Sequence, residues 1–282
     1  MKQFILIFTI ILFVQKLHGQ YDSTIYGQNA KTRKYANING EIIYYEIYGK
    51  GFPLVLLHGG LGSISEFKNN ISDLAKEFQV IAIDSRGYGR STNMNDTLSY
   101  SVMASDVYNL INYLKLDSVD IVGFSDGGII GFHLASKYPS KVRKVIASGA
   151  NYSIEGLKST WFQDTMMLRE KVLHDGFWKR FREAYKSNPN PDKFDIHIQM
   201  IRKMWITEPY LSKEYFDKIS KPVLLIFGDR DVIKMNHILE MYEQLPEKTR
   251  QLCIFPNTSH FTFKERPNEI DRVIIEFLKP SK

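Results

Sequence analysis

The stretch Gly123-Phe124-Ser125-Asp126-Gly127-Gly128 joins a short apolar run to a second apolar segment. Residues 119–122 before it are typical of a buried strand, and residues 129–135 after it favour a buried helix. A serine flanked by glycines at a strand–turn–helix junction predicts a nucleophile elbow, a sharp turn that points the Ser125 hydroxyl away from the sheet. A glycine-rich turn without chemistry is the alternative, because so short a pattern also arises by chance. A base, an acid and an oxyanion loop elsewhere in the chain would favour the nucleophile elbow over a turn without chemistry.

Apolar runs alternate with helix-like segments on both sides of this stretch. The alternation predicts an α/β fold, a mostly parallel twisted sheet with helices on both faces. A β-hairpin at residues 33–48 comes first, with Asn39-Gly40 as its turn. The later strands are predicted at residues 53–57, 80–83, 119–122, 144–148, 222–227 and 251–255. Helices are predicted at residues 65–78, 100–116, 129–135 and 268–278.

An acid and a base follow two of the predicted strands. Asp231 ends the loop after residues 222–227, and His260 follows residues 251–255. Because the carboxyl ends of parallel strands lie at one edge of a sheet, we expect both side chains beside Ser125. A serine hydroxyl becomes a nucleophile when an imidazole accepts its proton and a carboxylate orients that imidazole. The sequence therefore predicts Ser125 as nucleophile, His260 as base and Asp231 as acid.

Residues of the same types elsewhere offer alternatives for two of these roles. Asp229 competes with Asp231, which we favour because it lies farther past the strand end and can reach across to His260. The histidines on helix-like segments do not follow a strand, and surface or packing roles are expected for them. They are His133, His174, His197 and His237.

The loop His58-Gly59-Gly60-Leu61 follows the strand predicted at residues 53–57. A tetrahedral intermediate of acyl transfer needs two backbone amides around its oxyanion. We expect one from Asp126, directly after the nucleophile, and the other from Gly60 or Leu61. His58 is expected to brace the loop rather than to take part in the chemistry.

Residues 152–220 interrupt the alternation with helix-like, aromatic-rich segments. This region contains all three tryptophans, Trp161, Trp178 and Trp205. We interpret it as a helical cap inserted into an α/β core of residues 34–151 and 221–282, with Trp161 and Trp178 as candidate substrate contacts. An ordinary helical subdomain with its own core is the alternative.

The first nineteen residues have the pattern of a secretory signal peptide. Lys2 precedes an apolar run at residues 4–14, which is too short to span a bilayer, and cleavage is predicted after Gly19. A polar leader at residues 20–33 follows. An exported protein, periplasmic or extracellular and without a stable membrane anchor, is therefore expected; an uncleaved N-terminal anchor is the alternative.

The composition is that of a globular protein with a large core. The 282 residues are 44% hydrophobic, enough for one α/β domain with an insertion or for two small domains. The net charge of +6 comes from scattered residues and gives no support for a nucleic-acid surface. The single cysteine, Cys253, cannot form an intrachain disulfide. The sequence leaves the oligomeric state open.

Taken together, these motifs resemble the α/β-hydrolase-fold serine hydrolases over residues 35–280. Within that superfamily, residues 84–91, 123–128 and 137–140 are similar to the valacyclovirase (biphenyl-hydrolase-like) group. That group hydrolyses α-amino-acid esters, and the acid after its nucleophile is associated with the substrate ammonium. Asp126 matches this position, although an acidic residue in the first turn also suits the helix dipole.

The resemblance implies hydrolysis of carboxylic esters of small molecules through an acyl-enzyme, with no metal, nucleotide or other cofactor. Amide, lactone or carbon–carbon bond cleavage on the same triad is an alternative. A non-catalytic small-ligand receptor is another, although such proteins usually lack a triad member. Dehalogenase and epoxide hydrolase chemistry is disfavoured, because those members of the fold carry Asp where Ser125 stands.

Overall fold

The computed structural model describes residues 25–95, 97–159 and 176–279. The predicted signal peptide and the first part of the predicted leader lie outside these residues. The strands of the central sheet are β1 (Arg33–Ile38), β2 (Glu41–Tyr48), β3 (Phe52–Leu57), β4 (Phe78–Ile83), β5 (Val119–Phe124), β6 (Val142–Ser148), β7 (Val223–Gly228) and β8 (Arg250–Phe255).

These strands form one sheet in the order β1-β2-β4-β3-β5-β6-β7-β8. Strand β2 pairs antiparallel with β1 and with β4, and every later pairing is parallel. The sheet confirms the predicted α/β fold. Asn39 and Gly40 form the turn of the first hairpin, with φ angles of 52° and 80°. Both angles are left-handed, as a tight hairpin turn requires.

The helices are α1 (Ile71–Leu74), α2 (Tyr100–Tyr113), α3 (Asp126–Lys137), α4 (Gly176–Tyr185), α5 (Phe194–Thr207), α6 (Lys213–Phe216), α7 (Met235–Gln244), α8 (Thr262–Glu265) and α9 (Pro267–Leu278). Helices cover both faces of the sheet because its central strands are apolar on both sides. In β3, Leu54 and Leu56 pack in the cluster that includes α1 and α9. Val55 and Leu57 pack in the opposite cluster, which includes α2 and α3.

The predicted helix at residues 65–78 is wrong in its extent. The structure instead has a short 3₁₀ turn at Ile64–Phe67 and then α1. The segment between them carries Asn70, whose buried side chain donates to Asp271 Oδ1 over 2.8 Å. Apolar spacing alone predicted a continuous helix, because it does not register this contact with a distant residue.

The described part of the predicted cap, residues 152–159 and 176–220, contributes helices and no strand of the sheet. Asn188, after α4, donates its side-chain amide to the carbonyls of Gly89 and Ser91 over 3.1 and 3.0 Å. Gly89 and Ser91 both belong to the loop after β4. The cap helices therefore lie over the carboxyl ends of the strands.

The described part of the predicted leader, residues 25–32, is fastened to the core. The buried carboxylate of Glu46 accepts hydrogen bonds from the amides of Gly27 and Asn29 over 2.8 and 2.9 Å. The Tyr26 ring is also buried and packs edge-on against Tyr48. This segment therefore belongs to the folded domain.

Candidate active site

Ser125 lies in a turn that only glycine neighbours permit. Its φ and ψ are 50° and −116°, a conformation that side chains rarely adopt. A Cβ at Gly123 would lie 2.2 Å from the Gly127 carbonyl oxygen, and one at Gly127 would lie 2.0 Å from the Leu57 carbonyl oxygen. Strand β5, helix α3 and strand β3 thus approach each other too closely for any other residue. The elbow conformation follows from this approach.

The structure brings Ser125, His260 and Asp231 together at the carboxyl edge of the sheet. The Nε2 atom of His260 lies 3.2 Å from Ser125 Oγ, and its Nδ1 lies 2.8 Å from Asp231 Oδ1. The same carboxylate oxygen accepts the Ile233 amide over 3.1 Å, which fixes the orientation of Asp231. These contacts form the serine–imidazole–carboxylate relay that the sequence predicts.

The environment of His260 favours its protonated form. Burial acts to lower its pKa, but the charge of Asp231 and the hydrogen bond to it more than offset burial and raise the pKa above 6.5. Glu66 and Asp126 raise it further from a greater distance. The imidazolium that forms when His260 accepts a proton is therefore stabilised.

Asp229 accepts a hydrogen bond from the backbone of the loop before His260. Its Oδ1 accepts the backbone amide of Thr258 over 3.0 Å, and the residue is exposed. The Asp229 carboxylate therefore fastens the loop that precedes His260, while Asp231 contacts the imidazole.

The predicted oxyanion loop lies directly against the nucleophile. A Cβ at Gly59 would lie 3.2 Å from Ser125 Cβ, and one at Gly60 would lie 2.6 Å from Asp126 Oδ2. The loop forms a tight turn in which the Gly62 amide donates to the Gly59 carbonyl over 3.1 Å, and Leu61 has a φ of 61°. Asp126 is the first residue of α3, so its backbone amide has no acceptor within its own helix. Gly60 and Asp126 thus adjoin each other beside Ser125, with Leu61 in the same turn, and stabilisation of an oxyanion by their amides stays a prediction.

His58 braces this loop. Its Nε2 accepts the Ser85 amide over 3.0 Å, so that Nδ1 is the protonated nitrogen and donates to the Gly59 carbonyl over 2.7 Å. Burial lowers the pKa of His58 to about 4, which keeps the ring neutral. The ring thereby links the loops after β3 and β4.

Glu66 is a site residue that sequence reasoning missed. Its Oε2 accepts the Gly59 amide over 2.7 Å, which holds the oxyanion loop in addition to the bond from His58 to the Gly59 carbonyl. Burial raises the pKa of Glu66 to about 7, although the bond from Gly59 acts in the other direction. No motif marks a glutamate at this position, so that only the fold reveals its contact.

Asp126 is buried and already carries two side-chain donors. Its Oδ1 accepts the Tyr100 hydroxyl over 2.9 Å, and its Oδ2 accepts the indole Nε1 of Trp205 over 2.9 Å. Burial raises the pKa of Asp126 to about 6, against the effect of Trp205 and Tyr100. Ammonium binding by Asp126 stays a prediction, but any ammonium would have to share this carboxylate with an indole and a phenol.

The predicted substrate contacts in the cap are located only in part. Trp161 lies outside the described residues, and of Trp178 the structure describes only its place in α4. Trp205, which sequence analysis did not select as a substrate contact, lies against the oxyanion loop. A Cβ at Gly60 would come within 2.3 Å of its ring.

A cavity of about 640 Å³ borders the site between the core and the cap helices. Leu61 of the oxyanion loop lines it, as do Phe124 and Phe261, which adjoin Ser125 and His260 in the chain. Tyr185 and Phe194 line it from the cap. Its wall combines aromatic rings with polar and charged side chains, among them Glu66, Asp84 and Arg90, and can accommodate a small organic molecule.

The histidines on helices pack as expected, so far as they are described. His133, His197 and His237 are buried in contact with tyrosine rings. Burial is the largest cause that lowers the pKa of each to about 4. His174 lies outside the described residues.

A nucleophile elbow, a histidine and a carboxylate above a mostly parallel sheet define a hydrolase of the α/β-hydrolase fold. The comparison with known families agrees. The chain belongs to the alpha/beta hydrolase fold family, whose model matches residues 53–203.

Individual relatives extend the likeness beyond that segment. The chain is 25% identical over 272 residues to the serine hydrolase BPHL of Homo sapiens, covering 90% of this chain and 88% of that protein. This relative confirms the resemblance to the biphenyl-hydrolase-like group. A shorter match is 41% identical over 104 residues to a soluble epoxide hydrolase of Corynebacterium sp. (strain C12), covering 37% of this chain and 36% of that protein. The crystal structure of a meta-cleavage product hydrolase has the same fold, with a TM-score of 0.72 at 23% identity over 88% of this chain and 98% of that chain.

Among residues 25–95, 97–159 and 176–279, no helix combines the length and the apolar character needed to cross a bilayer.

Proposed function

We propose that the protein is an exported serine hydrolase that cleaves carboxylic esters of small molecules through an acyl-enzyme. One observation carries the proposal: the Ser125 hydroxyl, the His260 ring and the Asp231 carboxylate form a continuous hydrogen-bonded relay beside the oxyanion loop. An uninterrupted relay of this kind serves nucleophilic attack by a hydroxyl that is otherwise inert near neutral pH.

The proposed reaction has two halves. Ser125 Oγ attacks the ester carbonyl while His260 takes its proton, and the amides of Asp126 and of Gly60 or Leu61 stabilise the oxyanion. His260 then returns the proton to the departing alcohol, which leaves an acyl group on Ser125. Water, deprotonated by His260, releases the acid and restores the hydroxyl. His260 accepts and returns each proton that is transferred in this reaction.

The relatives support hydrolysis more strongly than a particular bond. The human relative that aligns over most of the chain is named a serine hydrolase. Another, from Pseudomonas sp. (strain CF600), is named 2-hydroxymuconate semialdehyde hydrolase and is 24% identical over 250 residues. We favour esters because the triad and two adjoining amides suffice for their cleavage. Amides, lactones and carbon–carbon bonds serve as comparison substrates.

Replacement of the nucleophile tests the proposal. Purified wild type and Ser125→Ala are assayed on nitrophenyl esters of short and long acids, on amino-acid esters and on lactones. We expect the variant to lose ester turnover by about 10⁴-fold or more while its circular dichroism and Tm stay close to wild type. A fluorophosphonate probe should label wild type and leave the variant unlabelled. Ester hydrolysis that survives in folded Ser125→Ala would contradict the proposal.

Export through residues 1–19 is a separate part of the proposal and depends on the sequence pattern alone. Expression of the full chain in a bacterial host, followed by fractionation and N-terminal sequencing, tests it. We expect a mature protein that begins at Gln20 outside the cytoplasm. A chain that retains Met1 and stays with the cytoplasmic fraction would contradict export without affecting the catalytic assignment.

A further inference from the structure

Among the residues that the structure describes, two polar side chains in the cavity wall have no hydrogen-bond partner. They are Tyr88, from the loop after β4, and His197, from cap helix α5. The Tyr88 hydroxyl and both ring nitrogens of His197 are buried without a partner, and the residues are 4% and 2% exposed. Each such atom costs free energy, since buried polar groups in folded proteins are nearly always hydrogen-bonded.

These unpartnered atoms lie together. The Tyr88 and His197 rings meet edge to face with their centroids 4.8 Å apart, and Tyr185 stacks on the other side of His197 at 5.5 Å. A Cβ at Gly87 would lie 2.4 Å from His197 Cε1, so the backbone of the β4 loop also holds the imidazole. All three rings line the same cavity as Phe124, the residue that precedes Ser125. The three rings are therefore closely packed and belong to the cavity wall.

Among the described residues, the neighbours of Tyr88 and His197 pack against the two rings but form no hydrogen bond with their polar atoms. His58 packs edge to face on Tyr88 at 5.2 Å, but its own nitrogens bond to Ser85 and Gly59. Burial lowers the pKa of His197 to about 4, so its ring is neutral at physiological pH. A neutral imidazole offers one donor and one acceptor, and a phenol offers both as well. A ligand group that both donates and accepts would match them.

We propose that Tyr88 and His197 form a recognition subsite for a hydroxyl group on the substrate of the hydrolase. The inference depends on the proposed function, because the subsite selects among the esters that reach Ser125. A hydroxyl can donate to the unprotonated ring nitrogen and accept from the phenol or the other nitrogen. The same cavity wall contains the aromatic rings of Phe124 and Phe194 and also charged side chains, among them Asp84 and Arg90. The favoured substrate is thus an ester that carries an uncharged hydroxyl.

Matched ester pairs test this subsite. Nitrophenyl esters of unbranched acids are compared with esters of the same length that carry a hydroxyl at successive positions. The variants are Tyr88→Phe and His197→Phe, which keep an aromatic ring and remove the polar atoms. Tyr185→Phe is the matched control, because it removes a hydroxyl from the same wall but from a different ring. The kcat/KM ratio within each pair is the readout.

We expect wild type to prefer one hydroxylated ester over its plain partner by about tenfold or more, since leaving buried partners unpaired is costly. Tyr88→Phe and His197→Phe should abolish this preference and retain turnover of the plain ester, and Tyr185→Phe should keep it. The two variants should also keep or raise Tm, because they remove unsatisfied buried groups. Equal losses on both members of a pair, or a lowered Tm with no change of preference, would show that the atoms serve the fold, for instance through a buried water.

A second measurement separates this inference from the proposed function. Phosphonate probes with a plain or a hydroxylated chain label Ser125 without requiring ester turnover. Faster labelling by the hydroxylated probe, lost in His197→Phe, would support the subsite even if no ester in the panel were cleaved. Equal labelling rates for the two probes in wild type would overturn the subsite while leaving the serine hydrolase assignment intact.

Discussion

The indole Nε1 of Trp205 lies 2.9 Å from Oδ2 of Asp126, and this contact joins cap helix α5 to the residue that follows the nucleophile. The Trp205 ring also lies against Gly60, where an added Cβ would come within 2.3 Å of it. Asp126 therefore holds an aromatic ring of the cap against the oxyanion loop. The Asp126 carboxylate, next to the nucleophile, is thus already hydrogen-bonded to side chains of the protein itself.

The first prediction concerns the role of this carboxylate. Asp126→Ala leaves the Tyr100 hydroxyl and the Trp205 indole without their acceptor and frees the ring that lies on Gly60. We expect kcat/KM to fall about tenfold on neutral esters and by a similar factor on amino-acid esters, because the loss arises from the displaced ring. Steady-state kinetics on both ester classes measures it.

Trp205→Phe is the matched variant for this contact, since it keeps an aromatic ring and removes the indole donor. It should reproduce part of the loss on both ester classes. A loss confined to amino-acid esters in Asp126→Ala, with Trp205→Phe close to wild type, would show instead that Asp126 binds the substrate ammonium.

Local patterns account for most of the fold. The apolar run of β3 predicts a strand covered on both faces because Leu54 and Val55 point to opposite clusters. Asn39-Gly40 predicts the first hairpin because both residues tolerate left-handed backbone. The error at residues 65–78 arose where Asn70 bonds to Asp271, about 200 positions later in the chain. A contact at that distance leaves no trace in the spacing of apolar residues.

Some residues of the site could be predicted from local sequence patterns, and others depend on tertiary packing. Ser125, Asp231 and His260 could be selected because each follows a strand end, which a sequence pattern can locate. The pairing of Asp126 with Trp205, the bond from Gly59 to Glu66 and the unpartnered nitrogens of His197 all depend on how the cap and loops pack. No spacing rule specifies those contacts. The aromatic content of residues 152–220 indicated that the cap contains substrate contacts, but it did not indicate that Trp205 is the tryptophan next to the nucleophile.

The second prediction concerns Glu66 and the oxyanion loop. Glu66→Ala removes the acceptor of the Gly59 amide and loosens the loop, so we expect kcat to fall about tenfold with little change in KM. Glu66→Gln keeps an oxygen that can accept this amide, and kcat should stay within about threefold of wild type. Kinetics of the two variants on one nitrophenyl ester separates the hydrogen bond from the charge. Equal, large losses in both would mean that the charge matters more than the bond.

The third prediction is the pH dependence of kcat/KM. His260 must be neutral to accept the Ser125 proton, and its pKa is raised above 6.5, so activity should rise with pH through that raised pKa and then level off. The negative charge of Glu66 contributes to the raised pKa, and Asp126 acts in the same direction. Glu66→Gln should therefore move the acidic limb of the profile slightly to lower pH, since burial raises the pKa of Glu66 to about 7 and the carboxyl is ionised only in part where His260 titrates. An unchanged or upward-shifted limb would contradict this coupling.

The fourth prediction distinguishes the two aspartates of the loop after β7. Asp231→Asn places an amide opposite His260 Nδ1, which favours the wrong tautomer and removes the charge that stabilises the imidazolium; kcat should fall about 10³- to 10⁴-fold. Asp229→Asn keeps an oxygen to accept the Thr258 amide and lies outside the relay, so kcat should remain within a few fold of wild type. Kinetics on one ester, with Tm measured for both proteins, makes the comparison. If Asp229→Asn were the more damaging of the two in a folded enzyme, the relay would have to be reassigned, because the side chain 2.8 Å from His260 would then not be the one that orients it.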